Sequence, residues 1–262
     1  MNHLSGKFRL FTLLASFMMV SCVFGGFDID DTPKEYVETV TSGAVLTDGH
    51  DCVDLGLSVK WATSNLGAYS DKYIGNYYAW GETVEKGQYS KVNYTYGILS
   101  LEEDWYMTKY CPDSLFGYDN FYDGMSVLEP EDDVVRALWK GEWRLPTPGE
   151  QQELVDNCIW TWVLSKDNRG REICGFMVTS NIEGYKDRSI FLPAGGCKDG
   201  SYTVRLGSTG VYWSSGIYLA DGLVPPYASA IYFEKGIKDK QEKIRVSAES
   251  RELGLTVRPV HP

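Results

Sequence analysis

The chain has 262 residues, of which 43% are hydrophobic and 23% charged, so it can bury a core without disulfide support. Its formal net charge is −11 and it has no Lys/Arg-rich run, which argues against DNA or RNA as a partner. Eight Trp, eighteen Tyr and 27 Gly favour strands joined by tight turns over long helices.

Residues 1–21 read as a signal peptide: Lys7 and Arg9 make a positive start, and residues 10–20 form an apolar run too short to cross a bilayer. The run ends at Met19-Val20-Ser21-Cys22, which resembles the bacterial lipobox. That resemblance implies cleavage before Cys22, lipidation of Cys22 and anchoring in the cell envelope, on the outer membrane. Multiple acyl chains give stable anchoring where one does not, so the membrane is an expected partner. Loss of residues 1–21 removes Lys7, Arg9 and no acid, leaving 36 acidic against 23 basic side chains. Residues 22–48 read as a flexible acidic tether, with Gly25, Gly26, Asp28, Asp30 and Asp31 and no sustained periodicity. Acids that follow a lipidated Cys resemble surface-export signals of gut Bacteroidota lipoproteins, pointing to surface display.

The folded domain is expected over residues 49–262. Residues 53–57 and 59–62 read as two short strands around a bend, and residues 76–81 as an aromatic strand. Residues 82–128 are polar, rich in Tyr, Gly and Asp, and aperiodic; such a length suggests an elaborated, function-bearing loop. Residues 130–139 read as a helix with Pro130 in the first turn and acids facing its positive end. Thr147-Pro148-Gly149-Glu150 is a capping box with proline at the first helical position, opening a second helix through Cys158. Strand candidates follow at 159–164, 175–179, 190–192, 210–213, 228–233 and 255–260. Few helices and many short strands predict an α+β domain.

Cysteine occurs at 22, 52, 111, 158, 174 and 197 with wide spacings, and histidine only at 3, 50 and 261. No C-x-x-C, H-E-x-x-H or i, i+4 His pair is present, so no metal ligands and no cofactor are expected. His50 stands in a turn-like Asp48-Gly49-His50-Asp51.

Several ordered motifs resemble one family. They are Val53-Asp54-Leu55-Gly56-Leu57-Ser58-Val59-Lys60-Trp61-Ala62-Thr63, Tyr77-Tyr78-Ala79-Trp80-Gly81-Glu82, Pro130-Glu131-Asp132-Asp133, Trp143-Arg144-Leu145-Pro146-Thr147 with the helix ending Asn157-Cys158-Ile159-Trp160, Ser189-Ile190-Phe191-Leu192-Pro193-Ala194-Gly195-Gly196, Gly210-Val211-Tyr212-Trp213-Ser214-Ser215 and Thr256-Val257-Arg258-Pro259-Val260. Together they resemble the Fibrobacter succinogenes major paralogous domain, common in Bacteroidota lipoproteins, over about residues 49–262. The resemblance implies a C-type-lectin-like fold of the formylglycine-generating-enzyme type, with two main helices, a small twisted antiparallel sheet and long loops. It also implies ligand display or adhesion. The enzyme branch of that fold uses a pair of redox-active cysteines, whereas Cys197 stands alone beyond Cys174; no catalytic residue is assigned. Glu129-Pro130-Glu131 looks like a calcium-lectin loop but reads better as acids at a helix start.

Trp61, Trp80, Trp143, Trp160 and Trp213 lie inside the motifs and read as core. Outside them, Tyr94, Tyr96, Trp105, Tyr106, Tyr110, Tyr118 and Tyr122 stand among Asp104, Asp113, Asp119, Asn120 and Asp123. Flat rings beside carboxylates and amides suit stacking on a glycan or anchoring a protein. Those seven are the expected ligand-binding residues, in a non-enzymatic binding or adhesion module. The alternatives are a structural subunit of a fimbria or envelope complex, or an enzyme on the same scaffold.

Overall fold

The computed structural model describes residues 36–219, 227–235 and 244–262. The signal segment, Cys22 and the first part of the tether lie outside the described residues. In chain order the strands and helices are β1 (Ala44–Thr47), β2 (His50–Val53), β3 (Lys60–Ala62), β4 (Gly97–Leu99), β5 (Trp105–Met107), α1 (Val134–Trp139) and α2 (Pro148–Asn157). Then come β6 (Cys158–Lys166), β7 (Glu172–Ser180), β8 (Ser189–Pro193), β9 (Cys197–Asp199), β10 (Tyr202–Val204), β11 (Thr209–Ile217), β12 (Tyr227–Glu234), β13 (Ile244–Ser250) and β14 (Val260–His261). Among the described residues these strands pair, always antiparallel, into five small sheets: β1-β2-β3-β14, β4-β5, β6-β7-β8, β9-β10 and β11-β12-β13.

The expected α+β class, with two main helices and one small sheet, is therefore wrong. Strands take 40% of the residues and helices 13%, which makes the protein mainly β. The helix expected over 130–139 shrinks for a local reason. Pro130–Asp132 forms only a 3-10 turn, and Asp133 leaves helical geometry to cap α1, its carboxylate accepting from the N–H groups of Val135 and Arg136. After the six residues of α1, Lys140 and Gly141 both take positive φ, +62° and +61°, and reverse the chain. α2 forms where the capping box places it. The Thr147 hydroxyl accepts from the Glu150 N–H at 3.1 Å, and the Glu150 carboxylate accepts from the Thr147 N–H at 2.8 Å. The helix ends at Asn157, because the alternating aromatic and β-branched run that follows pairs with β7 over nine positions, Cys158↔Ser180 to Lys166↔Glu172.

β11 is the centre of the molecule, buried along all nine residues. Alternation sends Val211 and Trp213 into a cluster with Trp80 and Trp143, and Tyr212 into a second with Trp61, Trp160 and Phe233. Buried Gln151 of α2 donates its side-chain amide to the Tyr212 and Trp213 carbonyls at 3.0 and 3.1 Å, seating the helix on that strand. The five motif tryptophans are each less than 9% exposed, as expected of core. The expected strand at 76–81 does not form: Tyr78 makes the isolated bridge to Leu255, and the chain turns at Trp80 and Gly81, where φ of Gly81 is +78°.

Residues 36–48, expected as tether, pack on the domain. The Val37 N–H donates to the Leu164 carbonyl at 2.9 Å, Ser42 and Ser189 exchange backbone hydrogen bonds, and β1 pairs with β2. The cause is β6, which buries Cys158 and Trp160 on one face but Val163 on the other. Val40 covers Val163 and Phe191 there, removing from water a patch that would otherwise stay wet.

Arg258 is fully buried without a carboxylate in contact. Its Nε donates to Asn65 Oδ1 at 2.8 Å, Nη1 to the Ala62 and Thr63 carbonyls at 3.0 Å each, and Nη2 to the Phe191 carbonyl at 2.7 Å. Burial pulls its pKa down to about 10, partly offset by Tyr212 and Asp71, so the cation persists at neutral pH. Lysine cannot reproduce this planar fork. Arg258→Lys should lower the unfolding free energy by about 3 kcal/mol or more, read by urea titration followed through tryptophan emission; a loss under about 1 kcal/mol would show that the four acceptors do not depend on the guanidinium.

Candidate functional site

The segment 82–128 is not an open loop. Tyr94, Met107 and Cys111 form a small core with Ala79 and Tyr89, edged by Tyr77, Tyr96, Trp105, Phe116 and Phe121. Within it the β4-β5 hairpin pairs Gly97↔Met107, Ile98↔Tyr106 and Leu99↔Trp105. The side-chain period of two then divides the aromatics. Met107 points inward and is fully buried. Trp105 lies across the bare Cα of Gly97, where a methyl group would stand 2.4 Å from its indole nitrogen. Its ring meets Tyr94 edge-on at 5.6 Å. Tyr106 projects from the opposite face beside Ile98.

The seven residues expected to bind ligand accordingly separate. Tyr94 and Tyr110 are 3% and 0% exposed. The Tyr94 hydroxyl donates to the Trp80 carbonyl at 2.9 Å, and that of Tyr110 to the Asp132 carboxylate. Half-buried Tyr96 donates to Asp132 Oδ1 at 2.7 Å, and half-buried Trp105 carries the Lys91 ammonium over its ring at 5.3 Å. Tyr106 and Tyr118 meet edge-on at 6.5 Å and line an open groove of about 400 Å3 with Ile98, Leu101, Glu102 and Asp104. Tyr122 is 62% exposed and does not line that groove. Cys22, the expected lipidation site, lies outside the described residues.

The groove is shaped by its backbone. The Ser100 hydroxyl accepts from the Glu102 and Asp104 N–H groups at 3.2 and 3.1 Å, and the Ser100 N–H donates to the Asp104 carbonyl at 2.8 Å. This tight loop exposes Leu101 entirely. On the far side the Asp113 carboxylate caps the turn Ser114–Phe116 that leads to Tyr118. Two acids and no base line the groove, so it suits a neutral or cationic ligand and opposes an anionic one.

Asp132 fastens the segment to the frame. Its carboxylate accepts from the hydroxyls of Tyr96 and Tyr110 and pairs with Lys109 at 2.6 Å. Burial works against ionisation, but these three donors outweigh it and hold the carboxyl below the usual aspartate range. Asp123 adds a second anchor, accepting from the N–H groups of Tyr110, Cys111 and Met125 at 2.7, 2.8 and 2.9 Å.

A second constellation, missed in the sequence, lies where β14 meets the β1-β2 turn. Asp48, Glu142 and His261 each bring a ligand atom within 4.8 Å of the others. His261 is 7% exposed and its Nε2 lies 2.9 Å from Asp48 Oδ2. His50 stacks on Trp139 at 3.6 Å, and Trp143 stands edge-on to both imidazoles, at 5.7 Å from His50 and 5.1 Å from His261. Asp48 and His261 are 213 positions apart, so no local spacing could have joined them.

Cys52, Cys111 and Cys197 are free thiols. Burial pushes the Cys111 and Cys197 thiols up, away from the thiolate a nucleophile needs. Among the described residues no helix is long and apolar enough to cross a membrane. No family model, no curated protein and no solved structure matches this chain.

Asp132→Asn should cost about 2 kcal/mol of stability at pH 7. Because the native carboxyl is depressed, its contribution is complete above the ordinary aspartate range and is lost as pH falls through the native value. Urea midpoints of the two proteins should therefore converge on acidification below that range; a gap that stays constant with pH would remove Asp132 from its anchoring role.

Proposed function

We propose that this chain is an exported, lipid-anchored binding module of a bacterial cell envelope, holding a glycan through the outer face of the β4-β5 hairpin. The observation that carries the reading is the division of aromatics in residues 82–128. Inward rings make a rigid base, while Tyr106 and Tyr118 stand at an open, acid-lined groove beside exposed Leu101. Exposed aromatic and aliphatic groups beside hydrogen-bonding side chains are the usual furniture of a recognition surface. The motifs that resemble the Fibrobacter succinogenes major paralogous domain coincide with the buried frame. Ligand choice is thereby left to the segment between them.

The module is read as non-catalytic. The raised thiols of Cys111 and Cys197 support that reading against the oxidative use of cysteine. A structural subunit of a fimbria or envelope complex is the second reading, favoured by Leu101 and Leu115, which are 105% and 74% exposed and have nothing to stack on a sugar.

On a glycan array, Tyr106→Ala and Tyr118→Ala should each weaken binding tenfold or more while leaving the melting temperature nearly unchanged. Trp105→Ala should lower the melting temperature, because it empties the base of the hairpin. Absence of binding to every glycan by the wild-type protein, with the same two variants losing a co-purifying envelope protein, would move the reading to the subunit. Independently, Cys22→Ala should abolish incorporation of labelled palmitate and release the protein from membranes; label retained in that variant would remove the anchor.

A further inference from the structure

The cluster at the β1-β2 turn has the chemistry of a cation site, and three unrelated backbone features build it. Asp48 and Gly49 form the two-residue hairpin turn with φ of +44° and +83°, a conformation that Asp-Gly adopts readily. Glu142 is brought back by the reversal at Lys140 and Gly141, and a methyl group on Gly141 would already stand 3.6 Å from Asp48 Oδ2. His261 comes from the opposite end of the domain, on β14, where it pairs with Lys60 of β3.

The surroundings of the imidazole are the decisive feature. His261 Nδ1 lies 3.0 Å from the Pro262 main-chain oxygen, and Nε2 lies 2.9 Å from Asp48 Oδ2. Both neighbours are acceptors, whereas a neutral imidazole has one N–H to give. When that proton is given to the Pro262 oxygen, the Nε2 lone pair and the Asp48 carboxylate are left as two donor atoms that one cation can share. Donation of Nδ1–H to a main-chain carbonyl is how proteins commonly orient a metal-binding histidine. Two ligands about 2.1 Å from one ion at the tetrahedral angle are about 3.4 Å apart, so the 2.9 Å separation here has to open by about half an ångström to take zinc. Glu142 supplies a third oxygen within reach.

Burial and exposure are divided as a metal site requires. Trp143, fully buried, and Trp139 close the side of the two histidines. Asp48 and Glu142 are exposed, which leaves an entry path and open positions for water. One imidazole and two carboxylates suit a borderline divalent ion of the first transition row; calcium takes six to eight oxygens.

We propose that Asp48, Glu142 and His261 bind a divalent transition-metal ion, zinc foremost, which clasps β14 to the β1-β2 turn and the start of the Trp143 motif. The site is separate from the Tyr106-Tyr118 groove and does not depend on what that groove binds.

The test uses the whole chain, stripped with a chelator and titrated with zinc chloride by calorimetry and with cobalt chloride by visible absorption. One equivalent of zinc should bind, the melting temperature should rise, and the emission of Trp139 and Trp143 should change on saturation. Cobalt should give weak ligand-field bands without a thiolate charge-transfer band. Glu142→Gln and Asp48→Asn, both at exposed positions, should each weaken binding tenfold or more; Glu142→Gln, outside the His261 contact, should keep the unmetallated melting temperature. No saturable binding up to millimolar zinc, affinity unchanged in both variants, or a thiolate band showing cysteine ligation would each overturn the assignment.

Discussion

The fold depends on placing one positive charge, that of Arg258, where there is neither water nor a carboxylate in contact. Burying a cation is expensive unless every donor finds a partner. Here the compensation comes from dipoles: two carbonyls at the end of β3, one from β8, and the amide oxygen of Asn65. Three of those acceptors fall within residues 62–65 and the fourth is Phe191, so two distant parts of the chain must be in place together with Arg258. Asn65 is itself held by donation to the Ile74 carbonyl at 2.7 Å and to the Tyr212 hydroxyl at 3.3 Å, and Tyr212 in turn donates to the Pro193 carbonyl at 2.7 Å. The chain end, the first sheet, β8 and β11 thus meet at one guanidinium. Such a group stabilises little in the net but specifies much, because wrong packings leave it unpaired.

Arg251 ties the inserted segment to the frame with a second buried guanidinium, less completely satisfied, since its Nε and Nη2 have no hydrogen-bond partner among the described residues. It is fully buried, lies over the Trp80 ring at 4.8 Å and donates to the Tyr110 carbonyl at 3.0 Å. Tyr110 takes a positive φ of +57°, and the Asp123 carboxylate holds its N–H. Frame and insert are therefore joined through polar groups whose positions are fixed by hydrogen bonds on both sides. The β4-β5 hairpin, only three residues per strand, would be marginal alone. With Trp105 and Met107 locked below, it presents Tyr106 rigidly, so little side-chain freedom remains to be lost when something binds.

Local chemistry was legible in the sequence, and whatever depended on distant pairing was not. Thr147, Pro148 and Glu150 announce α2 because a capping box is complete within four residues. Alternation announces β6, β7, β8, β11 and β12 for the same reason. The class was misread because the 130–139 segment carries helical spacing that Asp133 and the Lys140-Gly141 reversal cut to six residues. Val37 and Val40 looked like tether, since the patch they cover belongs to strands more than a hundred positions away. In the aromatic segment the residue types were informative but their facing was not. Tyr94, Tyr106 and Tyr110 have identical side chains, and only the hairpin register and the Asp132 anchor decide which are spent inside.

Charge narrows what the groove can hold. The chain without residues 1–21 carries 36 acids against 23 bases, and Glu102 and Asp104 stand at the groove itself. At physiological ionic strength charges farther than about 8 Å are largely screened, so those two carboxylates matter more than the remote excess. Both are solvated and both are acceptors, which fits the hydroxyl donors of a neutral sugar or the ammonium of a lysine. A sulfated or uronic-acid glycan would meet like charges at the moment of desolvation, where repulsion is least screened. The Tyr106 and Tyr118 rings contribute flat apolar surface that is indifferent to such charge. In the proposed binding mode, selection against anionic ligands therefore resides in the two carboxylates, and the strength of binding in the two rings.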